Sequence, residues 1–229
     1  IGRVEEDSQD KSMVQLDERV LQTPGLALQS TVNEVIRMGQ IVEDSLMVAK
    51  DVLFTLKDGD IQFLKEEEAT VDRLSAGITN YAIKVGALQI SEKEHQDVAH
   101  LLQVVSDMER ISDYCENISE FAETLYEKKA SFSEIGEEQL KEMMEVCTDS
   151  YRYALKAFEN QDRAMALKVI EKETQADNLE LRLRNKHIQR LANNQCKTEA
   201  GIVYLDTLVC LERISDHARN IAEEVLERN

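Results

Sequence analysis

The sequence predicts an all-α protein, built as a tandem pair of three-helix bundles with six long antiparallel helices. Pro24 is the single proline and there are eight glycines, so the 229-residue chain is poor in the residues that tight turns require. Aromatic residues make up 5% and tryptophan is absent, a composition that disfavours β-sandwiches and barrels. Apolar residues recur every three or four positions over most of the chain, as they do on one face of a helix.

The chain begins with a predicted lead-in and a first helix. Residues 1–30 are interpreted as a linker, whose extended course ends at the turn signal Pro24–Gly25. Apolar spacing typical of a helix then runs from Val32 to about Leu56.

Two further helices complete the first half. Gly59 is predicted to cap the end of the first helix, and Asp60 to cap the start of the second, which runs to about Leu88. The segment Ser91–Glu94 has the form of a capping box, so it predicts the start of a third helix that reaches about Lys128.

The second half repeats this plan. A polar break at 131–136 precedes helices at about 138–159 and 163–191, and a sixth helix ends near 226. Short turns at 160–162 and 192–195 separate them, and short loops indicate antiparallel neighbours. We therefore divide the chain into a lead-in, a first repeat and a second repeat, with bounds 1–30, 31–130 and 131–229.

An internal duplication supports this division. The segment Glu109–Asp113, ERISD, recurs unchanged as Glu212–Asp216, an offset of 103 residues. Eight of the twelve residues at 109–120 are identical to those at 212–223. Glu68 and Asp72 likewise have counterparts 105 positions later. The chain is thus predicted to be a duplicated three-helix unit.

Four carboxylate pairs share one spacing, glutamate at i and aspartate at i+4. Residues so spaced lie on the same face of a helix, and like charges there cost about 0.2–0.5 kcal/mol per pair. If Glu68 lies opposite Asp113 on two antiparallel helices, the hairpin turn falls between Ile90 and Ser91, where the capping box also lies. If Glu173 lies opposite Asp216 in the second half, that turn falls between residues 194 and 195. Each hairpin should therefore gather four carboxylates at one level, and these eight residues are the predicted metal ligands: Glu68, Asp72, Glu109, Asp113, Glu173, Asp177, Glu212 and Asp216.

A set of oxygen ligands favours Fe³⁺, Mn²⁺, Mg²⁺ or Ca²⁺ over copper or structural zinc, and several carboxylates at one level suit a multinuclear cluster. Additional or outer ligands are sought one turn further along the same faces, at Asn117, Asn220, Glu120 and Glu223. The competing interpretation is a solvated acidic surface neutralised by neighbouring arginines, namely Arg73, Arg110 and Arg213.

Charge and composition exclude several classes of function. The 45 acidic against 27 basic residues give a net charge of −18, which opposes binding to nucleic acid or to anionic membranes. The four cysteines lack CxxC spacing and predict free thiols in a reducing compartment. No segment predicts a signal peptide or membrane insertion. His95, His100, His187 and His217 form no ligand pattern, and without a nucleophile–base constellation no catalysis is predicted.

The repeated motifs ERISDYCENISE and ERISDHARNIAE resemble those of the PhoU family over about residues 30–229. The lead-in LDERVLQTPGLAL is similar to the segment that joins the membrane part of bacterial Na/phosphate cotransporter proteins to their PhoU-like tail. The resemblance implies a cytoplasmic regulator of phosphate homeostasis that binds multinuclear iron or other metals, with Zn²⁺ as a further candidate, at the eight carboxylates. Asp44 and Asp149, 105 residues apart, are candidates to complete the sites.

Three functions follow as alternatives. The first is a regulatory metal-binding domain attached to a Na/phosphate cotransporter, with the membrane portion of the same protein as partner. The second is a free-standing PhoU-type regulator of a phosphate ABC transporter and its sensor kinase. The third is a carboxylate-bridged metal enzyme. The metal, its occupancy, the sign of regulation and the oligomeric state, a homodimer included, stay open.

Overall fold

The computed structural model describes residues 14–55, 57–193 and 195–227, and these residues form six α-helices and one 3₁₀ turn, with no strand among them. The 3₁₀ turn spans Glu18–Gln22. The helices are α1 Pro24–Thr55, α2 Asp58–Gly86, α3 Glu92–Glu127, α4 Glu134–Asn160, α5 Arg163–Ala192 and α6 Thr198–Glu227. The predicted all-α architecture of two three-helix units is confirmed. None of the described helices has a stretch long and apolar enough to cross a membrane.

The six helices share one hydrophobic core. Helices α1–α3 pack on one another, as do α4–α6, and the two units meet where α3 packs on α6 and α1 on α4. Within the described residues, α2 and α5 pack only against helices of their own unit, so they lie on the outside. Each outer helix forms an antiparallel hairpin with a motif helix, α2 with α3 and α5 with α6.

Close approach between the units depends on Gly39 of α1. A Cβ atom there would lie 2.6 Å from Leu155 Cδ1 and 2.8 Å from Met108 Cε. The hydroxyl of the buried Tyr151 donates a 2.9 Å hydrogen bond to the Gly39 carbonyl oxygen. The absence of a side chain at Gly39 therefore allows α4 and α3 to pack tightly on α1.

The start of α1 differs from the prediction. Pro24 does not end an extended segment, because it is the first residue of α1. The backbone N–H at this position of a helix has no intrahelical acceptor, and the fixed φ of proline is close to the helical value. The preceding residues 14–22 pack against the first unit, and Tyr81 donates a hydrogen bond of 3.1 Å to the Asp17 carbonyl oxygen. Residues 1–13 of the predicted linker lie outside the described residues, and the domain boundaries stay predictions.

The caps predicted at Gly59 and Asp60 are wrong. Helix α2 already begins at Asp58, with Lys57 at its N-cap position, so Gly59 and Asp60 lie in its first turn. No glycine among the described residues has the positive φ that a glycine C-cap requires. The predicted end of the first helix at Leu56 falls on a residue outside the described ones.

The other turns follow the sequence more closely. Ser91 forms the predicted capping box with Glu94. The break at 131–136 is shorter than predicted, because the Ser133 side chain accepts from the backbone N–H of Gly136 and α4 starts at Glu134. At the 160–162 turn, Gln161 is left-handed and Asp162 caps α5. The last turn lies between Ala192 and Thr198, as predicted, although residue 194 is outside the described ones.

Candidate metal centre

The first hairpin brings three of its four predicted ligands together. Glu68 and Asp72 lie on α2, and Asp113 lies opposite them on α3. One carboxylate oxygen from each of these residues lies within 4.8 Å of the other two. This group is called the first triad, and the antiparallel pairing of α2 with α3 brings its members to one level, as the sequence predicted.

The second hairpin forms the equivalent group, called the second triad. Here Glu173 and Asp177 of α5 face Asp216 of α6, again with one oxygen each within 4.8 Å of the others. Glu173 is the most enclosed of the three, with 5% of its surface exposed. The duplicated sequence therefore produces a duplicated carboxylate geometry.

The fourth predicted member of each set is less closely placed. Glu109 and Glu212 are half-buried on α3 and α6 and fall outside the two triads. Burial raises the pKa of each, and the neighbouring carboxylate one turn on, Asp113 or Asp216, raises it further. Glu109 and Glu212 therefore add negative charge near the triads but are not among the closely grouped candidate ligands.

Glu68 is the carboxylate whose titration is most altered. Burial raises its pKa to about 7, with added repulsion from Asp72, Glu116, Asp113 and Glu109. The sequence prediction missed Glu116, whose own pKa is raised by burial and then by Glu120. The first cluster is therefore five carboxylates: the first triad together with Glu109 and Glu116.

The second cluster consists of the second triad with Glu212 and the buried Glu180, whose charge adds to the effect of burial on the pKa values of Asp177 and Glu212. It also contains a cation that the prediction missed. Arg219 donates from Nη1 to Glu173 Oε1 and from Nε to Glu223 Oε1, both at 2.8 Å. Hydrogen bonds to Glu223 and Glu173 raise the pKa of the guanidinium, which therefore stays charged. Burial raises the pKa values of Asp177 and Asp216, and the charge of Arg219 opposes that rise in both.

The arginines predicted as alternatives to metal have different roles. Arg110 contacts Asp113 at 3.0 Å, and its counterpart Arg213 lies 3.7 Å from Asp216. Both are more than half exposed, with 56% and 55% of the side chain accessible. Arg73 instead donates to the Thr70 hydroxyl. Exposed pairs of this kind contribute little to stability. Burial raises the pKa values of Asp113 and Asp216, and the charges of Arg110 and Arg213 oppose that rise.

The candidate outer ligands of the second half point elsewhere. Asn220 donates to the buried Asp107 of α3, and His217 contacts the same carboxylate at 2.8 Å. Glu223 pairs with Arg219. These side chains join α6 to α3 or hold Arg219.

The remaining candidate ligands lie outside the two triads and stay predictions. Asp149 pairs with Lys172 at 3.3 Å and Asp44 is exposed, and neither belongs to a triad. Asn117 is half-buried and Glu120 is exposed. The described structure also gathers His100, Glu224 and Glu227, a group that sequence reasoning did not find, but His100 already pairs with Glu224.

All four cysteines are free, as predicted, and three of them are buried.

The oxygen-only donor set of the first triad fits a hard cation, because three carboxylates converge and their mutual repulsion would be relieved by one. The second triad has the same donors, yet it already holds a guanidinium against its most buried carboxylate. The two sites therefore fit a metal to different degrees.

Comparisons with known proteins give a consistent result. The sequence matches the PhoU domain over residues 35–122 and again over 140–225. It is 28% identical over 195 residues to PhoU homolog 1 of Thermotoga maritima, named a phosphate-specific transport system accessory protein, covering 85% of this chain and 83% of that one.

Two further similarities extend this result. YjbB of Salmonella typhimurium, whose name assigns it to inorganic phosphate export, is 24% identical over 215 residues, which are 93% of this chain and 39% of that protein. The crystal structure of PhoU from Pseudomonas aeruginosa superposes with a TM-score of 0.82 at 22% identity, covering 88% of this chain and 96% of that one. That likeness shows the fold.

Proposed function

Because the chain belongs to the PhoU domain family, we propose that it regulates inorganic phosphate transport and binds metal ions at its carboxylate clusters. The observation that carries the proposal is the pair of equivalent carboxylate triads in a chain that aligns with a transport accessory protein over most of both lengths. Membership of the PhoU domain family and the accessory name of the Thermotoga relative confirm the prediction that the chain is not an enzyme.

We favour a free-standing regulator that acts at the cytoplasmic side on a phosphate-specific transport system. The support is the alignment with the Thermotoga accessory protein, which covers 83% of that protein. This was the second alternative from the sequence, and the comparisons support it better than attachment to a Na/phosphate cotransporter.

A second candidate is a domain attached to a phosphate transporter in the membrane. The similarity to YjbB supports it, because it covers 93% of this chain but 39% of that longer protein. Membrane-spanning segments encoded in frame upstream of Ile1 would favour this candidate, and a start codon close to Ile1 would contradict it.

The metal-binding part of the proposal uses this chain's own residues. The first triad would hold a cation through Glu68, Asp72 and Asp113, and the second through Glu173, Asp177 and Asp216. A bound ion supplies positive charge that offsets the repulsion among these carboxylates. Glu109 and Glu212 add to the negative field around the two triads. Fe³⁺, Mn²⁺, Mg²⁺, Ca²⁺ and Zn²⁺ are the ions to test.

A thermal-melting experiment tests metal binding. Each ion, added to metal-free protein, should raise the melting temperature if it binds the folded chain alone, because binding stabilises the folded state by mass action. The double variant Asp113→Asn with Asp216→Asn should lose this shift and keep its helical circular dichroism. An absent shift with all ions would contradict metal binding without affecting the proposed role in transport.

Phosphate uptake tests the regulatory role. The chain is expressed in a bacterium that lacks its own PhoU, and uptake of labelled inorganic phosphate is measured at low and high external phosphate. We expect expression to restore phosphate-dependent control of uptake, and the Asp113→Asn, Asp216→Asn variant to restore less of it. Unchanged uptake with the wild-type chain present would contradict this role.

A further inference from the structure

The two carboxylate clusters carry opposite charges at one pair of equivalent positions in the duplicated motif. Glu116 on α3 and Arg219 on α6 occupy equivalent places in the duplicated motif, three residues after the motif aspartates Asp113 and Asp216. One place therefore carries a negative charge and the other a positive charge. The neighbouring identities, which include Asn117 and Asn220, show that the alignment is not shifted there.

Both side chains act on their own triad. Glu116 follows the triad member Asp113 by three residues on α3, so its carboxylate lies on the same face of the helix as that ligand. The Arg219 guanidinium donates to Glu173 at 2.8 Å, and its charge also acts on Asp177 and Asp216. Arg219 thus interacts with all three members of the second triad.

Burial makes the Arg219 contact effective. The Glu173 side chain is 6% exposed while that of Arg219 is 41% exposed, so the cation reaches inward from the surface to an enclosed carboxylate. Glu223, one turn along α6, holds the other edge of the guanidinium at 2.8 Å. A metal ion coordinated by Glu173 Oε1 would compete with this hydrogen bond and would be repelled by a like charge.

We propose that Arg219 serves as a built-in cation of the second cluster, so that the first cluster is the high-affinity metal site of the chain and the second is a weak one. This inference rests on the metal-binding part of the proposed function. It adds that the duplicated sites have diverged, and it identifies the residue that sets the difference.

The test isolates each cluster in the full chain. Asp216→Asn leaves the first cluster intact, and Asp113→Asn leaves the second intact. Binding of Mn²⁺ to each variant is followed by the loss of the free-ion electron paramagnetic resonance signal. We expect the chain with an intact first cluster to bind Mn²⁺ at least about tenfold more tightly than the chain with an intact second cluster.

A reciprocal charge exchange then tests the cause. In the Asp113→Asn background, Arg219→Glu should tighten Mn²⁺ binding at least about tenfold, and Arg219→Gln should have an intermediate effect. In the Asp216→Asn background, Glu116→Arg should weaken binding by a similar factor. Circular dichroism checks that each variant is folded, and the uncharged Arg219→Gln provides the comparison if the charge reversal unfolds.

The outcomes separate the two proposals. Equal Mn²⁺ affinity of the two isolated clusters, or no effect of Arg219→Glu and Arg219→Gln, would overturn the role of Arg219 while metal binding stands. No binding of Mn²⁺ or of the other ions by wild-type protein would overturn both the metal-binding part of the proposed function and this inference.

Discussion

The hairpins α2–α3 and α5–α6 place the same carboxylates in the same geometry but balance their charge in different ways. In the first hairpin, burial raises the pKa of Glu68 to about 7, and the four neighbouring carboxylates add to that rise. In the second, Arg219 pairs with the most buried member, Glu173. The comparison shows that the carboxylate pattern sets the geometry, whereas the residue one turn further along the helix sets the charge.

The strongest test of this contrast is Glu173→Gln in metal-free protein. The substitution keeps the shape but removes the charged acceptor of Arg219, so we expect the free energy of unfolding to fall by about 1–2 kcal/mol. Asp177 is exposed and Asp216 half-buried, so solvent screens their repulsion of Glu173, whereas Arg219 makes a direct charge-assisted hydrogen bond of 2.8 Å. Urea unfolding at pH 8 measures the change. If a double-mutant cycle with Arg219→Gln gives no coupling energy, the pair does not stabilise the fold.

The equivalent change in the first hairpin, Glu68→Gln, should have the opposite sign. At pH 8 it removes a half-buried charge surrounded by like charges, so metal-free protein should gain stability, on the order of 1 kcal/mol once solvent screening is considered. A loss of stability in the same unfolding assay would show that Glu68 has a favourable partner and that the two hairpins are alike.

The same residue predicts a pH dependence. A folded-state pKa near 7, raised from 4.5, means that the folded chain holds this proton more tightly than the unfolded chain. Its contribution to stability is therefore complete below about pH 4.5 and is lost as the pH rises through 7. We expect the stability difference between wild type and Glu68→Gln to grow from pH 5 to pH 8, and a constant difference would contradict the raised pKa.

The smallest expected effects come from the exposed arginines. Arg110→Gln and Arg213→Gln should each change the free energy of unfolding by about 0.5 kcal/mol or less, because these pairs are largely solvated. Arg110 has the shorter contact, so its change should be the larger of the two and should shrink in high salt. Losses comparable to that of Glu173→Gln would mean that surface pairs, rather than Arg219, distinguish the clusters.

Periodicity and the duplication were sufficient to predict the six helices and the register of both hairpins. The turns were harder to predict, because one residue type is compatible with several backbone positions. Pro24 fits the first position of a helix as well as an extended turn, and Gly59 fits the interior of a first turn as well as a cap. The choice depends on backbone angles that the neighbouring contacts set.

The site was predicted in outline and incompletely in detail. Spacing brought Glu68, Asp72 and Asp113 together, but it could not show that Glu109 stands further off, since that depends on how the helices rotate about their axes. The identical positions of the repeat do not predict Arg219, because it stands where the two copies of the motif differ. The informative positions are those at which the two repeats differ, and at one of them Glu116 aligns with Arg219.

The buried Asp107 has a consequence for the order of folding. Each hairpin joins helices that follow one another in sequence, whereas the hydrogen bond from His217 to Asp107 joins residues 110 positions apart. Contacts of short sequence separation form first because they lose less chain entropy on closure. We expect each carboxylate cluster to assemble within its own hairpin before the two repeats dock through Asp107. The substitution Asp107→Asn should accordingly speed unfolding and leave the refolding rate nearly unchanged in stopped-flow experiments.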